Sequence, residues 1–150
     1  MLGWDVTVDY QTIEALRRMN PAWRLLTAMH APFVASFLND AFIRPNTRTY
    51  LQSDLAAKLD DHLYRLRPHL ADDALPRTAS EYLDDWASDE HGWLRKYYAG
   101  GTDEPSFDIT PATEKALEWL GSLQSRRFVG AESRMMTVFD LLRQLVERAQ

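Results

Sequence analysis

Four histidines, His30, His62, His69 and His91, are the residues of this chain best suited to proton transfer or metal ligation. None falls in an HExxH or other spaced ligand pattern. The runs "DDH" at 60–62 and "DEH" at 89–91 place acids beside a histidine, yet successive helical residues point in different directions and build no common site. The chain has no cysteine, which removes thiolate nucleophiles, disulfides and Cys-based zinc together. Neither a Gly-rich phosphate loop nor a G-x-S-x-G elbow occurs. The expectation is a non-enzymatic protein with no cofactor and no metal.

Phosphate contact is the other chemistry on offer. Arg95 and Lys96 lie together, and Arg126 and Arg127, with Arg134 nearby, form a second basic group placed in a final loop. Against them stand a net charge of −5 and a pI near 5.3, because a nucleic-acid surface needs cations against phosphate. Residues 72–91 hold seven acids (Asp72, Asp73, Glu81, Asp84, Asp85, Asp89, Glu90) against Arg77 alone. Nucleic-acid binding through Arg95, Lys96, Arg126 and Arg127 is therefore the alternative reading, and a protein contact the leading one.

These residues are positioned by a mostly helical chain. Asp9 suits an N-cap for a first helix carrying Ile13, Leu16 and Met19. "NPAW" restarts the helix, with Asn20 as cap and Pro21 at the first helical position, where a missing N–H costs nothing. Pro32 opens a third helix, with Phe33, Val34, Phe37, Leu38, Ala41 and Phe42 on one face, ended by Pro45. "TRTYL" at 47–51 reads as a short strand. Ser53 is the expected cap of a fourth helix bearing Leu55, Leu59, Leu63, Leu66 and Leu70. Thr78 and Glu81 have capping-box spacing, which predicts a helix over 79–88 with Tyr82, Leu83 and Trp86 inward.

"WLRKYYAGGTDEPSFDIT" at 93–110 then reads as two strands around a Gly-Gly turn, with Phe107 and Ile109 on one face. Thr110 and Pro111 begin a sixth helix through Leu123, and a last helix covers 131–148 with Met135, Val138, Phe139, Leu142, Leu145 and Val146 as its stripe. Trp86 and Trp119 are expected in the core. Helix, strand, helix, helix, hairpin, helix is the order of a winged helix-turn-helix. The core of that motif is expected at about 32–123, with helical extensions at 9–29 and 131–148, all within one domain over 1–150. The third strand gives the hairpin the support that two strands alone lack.

Hydrophobic content of 45% and charged content of 26% suit one globular domain with a real core. No apolar run approaches the ~20 residues of a membrane span, so no membrane partner is expected. The opening "MLGWDVTVDY" lacks the basic-then-apolar order of a signal peptide, and a cytoplasmic location is expected. The ending "LVERAQ" has no Gly or Pro stop, which fits a piece of a longer chain whose last helix runs on.

The stretches "NPAWRLLTAMHAPFVASFL", "SEYLDDWASDEHGWLRKYY", "DEPSFDITPATEKALEWL" and "RRFVGAESRMMTVFDLLRQL" together resemble the N-terminal region of JetA. JetA is the MukF-like kleisin subunit of the bacterial Wadjet anti-plasmid system, and the likeness runs from about Tyr10 to Val146. The resemblance implies a winged-helix domain that pairs with its own copy. It implies a larger SMC complex with a MukB-like ATPase, a MukE-like subunit and a Toprim-type nuclease, which hold the ATP hydrolysis and the cleavage. DNA would be met only through that complex, and no catalytic residue carries over.

The residues before position 32 exceed what a minimal winged helix needs. Trp4, Tyr10, Ile13, Leu16, Met19, Trp23, Leu25, Leu26 and Met29 are more apolar area than two short helices bury on one side. A homodimer through this extension is the expectation, with Trp4, Tyr10 and Trp23 as interface candidates.

Overall fold

A computed structural model describes residues 8–149, the side chains of 125–137 and of residue 149 excepted. The protein is mostly helical with one small three-stranded antiparallel sheet, as the sequence leads one to expect. The chain divides into two units, Met1–Leu117 and Glu118–Gln150.

Asp9 caps α1 (Tyr10–Met19), its carboxylate accepting from the Thr12 N–H at 3.1 Å. Asn20 caps α2 (Pro21–Leu26), accepting from the N–H groups of Ala22 and Trp23. Both caps meet donors that a helix start leaves without a partner. Helix α3 (Ala31–Leu38) runs into a single π-turn, Asn39–Ile43. That wider turn keeps Ala41 and Phe42 on the buried side with Phe33, Val34, Phe37 and Leu38. Strand β1 (Thr49–Leu51) follows, then α4 (Gln52–Leu66) with Leu55, Leu59 and Leu63 buried. Leu66 is half-buried and Leu70, beyond the helix, is exposed.

Ser53 does not cap α4. Leu51 holds the cap position, and the Ser53 N–H instead donates to the Glu104 carboxylate at 2.7 Å. A residue 51 positions away supplies the negative charge that the helix start favours. At α5 (Ala79–Trp86) the expected capping box is present in both directions between Thr78 and Glu81. Its inner face buries Tyr82, Leu83 and Trp86, and Phe33 meets the Tyr82 and Trp86 rings edge-on at 5.3 and 5.6 Å.

Strands β2 (Leu94–Tyr98) and β3 (Pro105–Ile109) form the hairpin, and β3 is the middle strand in the order β1-β3-β2. Phe107, opposite both Tyr50 and Lys96, is fully buried. The Thr110 carbonyl accepts from the Glu114 N–H as the next helix opens, and the Thr110 hydroxyl donates to the Gly92 carbonyl at 2.8 Å.

One helix, α6 (Pro111–Ala149), replaces the two expected here, and the separate extension at 131–148 is part of it. Gly121 sits in open space within this helix. A helical glycine costs only about 1 kcal/mol against alanine, and no proline interrupts the run. Ala116 and Leu117 are buried in the first unit. Trp119, expected in the core, is instead 48% exposed. In the second unit Val138, Phe139, Leu141, Leu142, Leu145 and Val146 are each between 52% and 61% exposed.

Candidate protein-interaction surface

The extension before α3 is fastened at one seam. Gly92 has φ +63°, a left-handed conformation that favours glycine, and a Cβ there would lie 3.2 Å from the Pro21 ring. Beside it the Trp93 indole N–H donates to the Pro21 carbonyl at 3.0 Å. Leu25 of α2 is fully buried, so α2 belongs to the core. Helix α1 does not, for none of its residues is buried.

Beside its exposed arginines, the extension leaves large apolar side chains in solvent. Tyr10 is 81% exposed, Met19 73% and Met29 89%, and Leu16 and Leu26 are exposed as well. Leu16, Met19 and Pro21 line an open depression of about 600 Å³ together with Asp9 and Thr12. Of the expected interface residues, Tyr10 is on this surface and Trp23 is half-buried. Trp4 lies outside the described residues. On the second unit the exposed stripe from Val138 to Val146 is a further apolar face.

The hairpin cations are occupied. Arg95 donates to Asp108 at 2.8 Å and its guanidinium lies 4.5 Å from the Tyr97 ring centre. Asp108 also accepts from the Thr49 hydroxyl at 2.6 Å, so one carboxylate ties together all three strands. Burial pushes the Asp108 carboxyl up, but the hydrogen bonds from Thr49, Arg95 and Tyr97 and the Arg95 charge outweigh it and hold the group below its usual range. Lys96 reaches back to Asp84 of α5 at 3.0 Å. Arg126 and Arg127 lie along α6 rather than in a loop, and their side chains fall outside the described residues.

Two of the histidines pack on aromatic rings. His62 rests on the rings of Phe33 and Phe37, 3.3 Å from the Ser36 hydroxyl, and burial holds its pKa below the usual imidazole value. His91 stacks on Trp93 with ring centres 4.3 Å apart and meets Asp85 at 3.3 Å, rather than the acids beside it in sequence. Among the described residues no group of His, Asp and Glu is arranged to hold a metal ion. No described helix is long and apolar enough to cross a membrane.

Sequence reasoning passed over one charged cluster. Arg17 and Arg18 from the last turn of α1 and Arg24 from α2 line one depression of about 730 Å³ with Met19, Met29 and His91. Glu14 serves both Arg17 and Arg18, and Arg24 donates to the Arg18 carbonyl. Three arginines within "RRMNPAWR" were the signal. They converge because Asn20 and Pro21 turn the chain between the two helices.

Residues 15–150 match the family described as "Protein of unknown function (DUF3375)". A protein of Mycolicibacterium smegmatis described as uncharacterized is 46% identical over 139 residues, covering 93% of this chain and 29% of that protein. The chain thus spans less than a third of the length of that relative. With its match running over most of its length, the chain belongs to the DUF3375 family.

Proposed function

We propose that this domain is a non-enzymatic, cytoplasmic assembly module that pairs with a second copy of itself through the α1–α2 extension. The observation that carries the reading is the exposed apolar set Tyr10, Leu16, Met19 and Leu26, on a helix pair of which α1 has no buried residue. Soluble monomers seldom leave such a set uncovered, and a two-fold pairing covers it on both copies at once. The order α3, β1, α4, α5, β2, β3 supports a winged helix-turn-helix. Its helix before the hairpin is acidic, which favours protein contact over DNA readout.

The resemblance to JetA supports placing the domain at the N-terminus of a MukF-like kleisin. In that reading its dimer joins two SMC units, each with a MukB-like ATPase and a MukE-like subunit, in defence against plasmid DNA. DNA enters only through those partners. The nucleic-acid alternative loses support from Arg95 and Lys96, because each would have to leave an intramolecular carboxylate to meet a phosphate.

The face is tested by placing a charge on it. Met19→Glu is expected to shift the solution mass from dimer to monomer, and Tyr64→Glu, on the exposed side of α4, to leave it unchanged. A dimer indifferent to Met19→Glu moves the pairing to another face.

A further inference from the structure

The basic depression is continuous with a second, apolar one. The second holds about 300 Å³ between the α2–α3 turn, α3 and α5, and is floored by Phe33, Val34, Trp86 and Trp93. The two share Ala28, Met29, His91 and Trp93, so they make one groove with a basic end and an apolar end. The apolar end has the size of a small ligand pocket, at the low edge of the roughly 300–1,000 Å³ range. Met29, nearly fully exposed, stands where the two ends meet. Methionine is an adaptable lip for an incoming apolar group.

The charge is out of keeping with the rest of the molecule. Arg17, Arg18, Arg24 and Arg77 line the groove against only Asp85 and Glu90. The nearby Glu14 is shared by two of those arginines, so a positive surplus remains in a chain of net charge −5. Asp85 is itself engaged by Arg77 at 3.7 Å and by His91.

We infer that this groove docks an extended acidic segment of another protein, with one large apolar side chain as its anchor. The anchor sits on Phe33, Trp86 and Trp93 beside Met29, and the flanking carboxylates meet Arg17, Arg18 and Arg24. Charge complementarity selects this occupant: a basic segment meets the arginine surplus, and duplex phosphates meet the Glu81, Asp84 and Asp89 carboxylates on and just beyond α5. The inference goes beyond the pairing of two copies, since the occupant here is a different chain.

The probe is a dye-labelled short peptide of Asp and Glu around one central Trp, titrated into the 150-residue chain and followed by fluorescence polarisation. Three comparison probes are the same peptide with Ala for Trp, its Lys counterpart, and a short DNA duplex. Saturable binding at roughly 10–100 µM is expected for the acidic Trp peptide alone. The Ala version and the combined variant Arg18→Glu/Arg24→Glu are each expected to weaken it by about tenfold or more. Because Arg24 also holds the Arg18 carbonyl, Met29→Ser serves as a second variant that leaves the core intact and is expected to weaken binding several-fold. No saturable binding below about 1 mM overturns the inference. So does equal binding of the Lys peptide or the duplex, or indifference to both variants. Peptide binding that converts a dimer to monomer assigns the groove to self-pairing and also overturns it.

Discussion

Gly92→Ala separates two costs that the structure places at one residue. The left-handed conformation at φ +63° costs a non-glycine residue about 1–2 kcal/mol. Losing glycine also restricts the unfolded chain, which returns about 0.4–1 kcal/mol. The new Cβ meets the Pro21 ring at 3.2 Å, so the ring must yield, at a further cost on the order of 1 kcal/mol. The net loss is about 1–2 kcal/mol, and at about 2–4 °C per kcal/mol for a chain of this size Tm falls by roughly 2–8 °C. Two other glycines supply the controls. Gly101 has φ +83° with nothing within 4 Å, so Gly101→Ala carries the backbone cost without the collision. Gly100 has neither a positive φ nor a neighbour within 4 Å. Thermal unfolding by circular dichroism is expected to rank the variants Gly100→Ala, Gly101→Ala, Gly92→Ala from most to least stable. Equal losses at Gly92 and Gly101 would refute the idea that α2 is fastened at the Pro21–Gly92 seam.

Further outcomes follow from the same geometry. Thr78→Ala breaks both halves of the capping box and is expected to cost about 1 kcal/mol in urea unfolding. Asp108 has a folded pKa below its usual 3.8, so its stabilisation is complete above that value and is lost as pH falls through the lower folded one. Asp108→Asn is expected to flatten the acid limb of a stability–pH profile, and an unchanged limb contradicts the three-strand tie. His62 is held below its usual 6.5, so stability is expected to decline as pH drops from about 7 to 5, less so in His62→Gln. A labelled duplex at moderate salt is expected to show no sub-micromolar affinity, and weak binding that salt abolishes is only the generic phosphate term.

Local signals were legible and distant ones were not. Asp9, Asn20 with Pro21, and Thr78 with Glu81 announce helix starts because a cap and its N–H partner lie within three residues. Ser53 carried the same signal at α4 and was overruled by Glu104, which reaches the helix start only once the hairpin folds back. The two helices expected here are one, because Gly121 opposes a helix by only about 1 kcal/mol and no proline interrupts the run. The hairpin cations Arg95 and Lys96 were visible as residue types, but their occupation was not. Register sets Arg95 opposite Asp108, and the fold brings Asp84 under Lys96. The groove needed three elements to meet, so its arginines stood in the sequence without a shared purpose.

The central claim is tested most directly by the mass of the 150-residue chain in solution, measured by light scattering after size exclusion across a dilution series. Pairing through α1 and α2 predicts a mass of twice 17.3 kDa at high concentration, falling toward 17.3 kDa on dilution. A mass of 17.3 kDa at every concentration contradicts it.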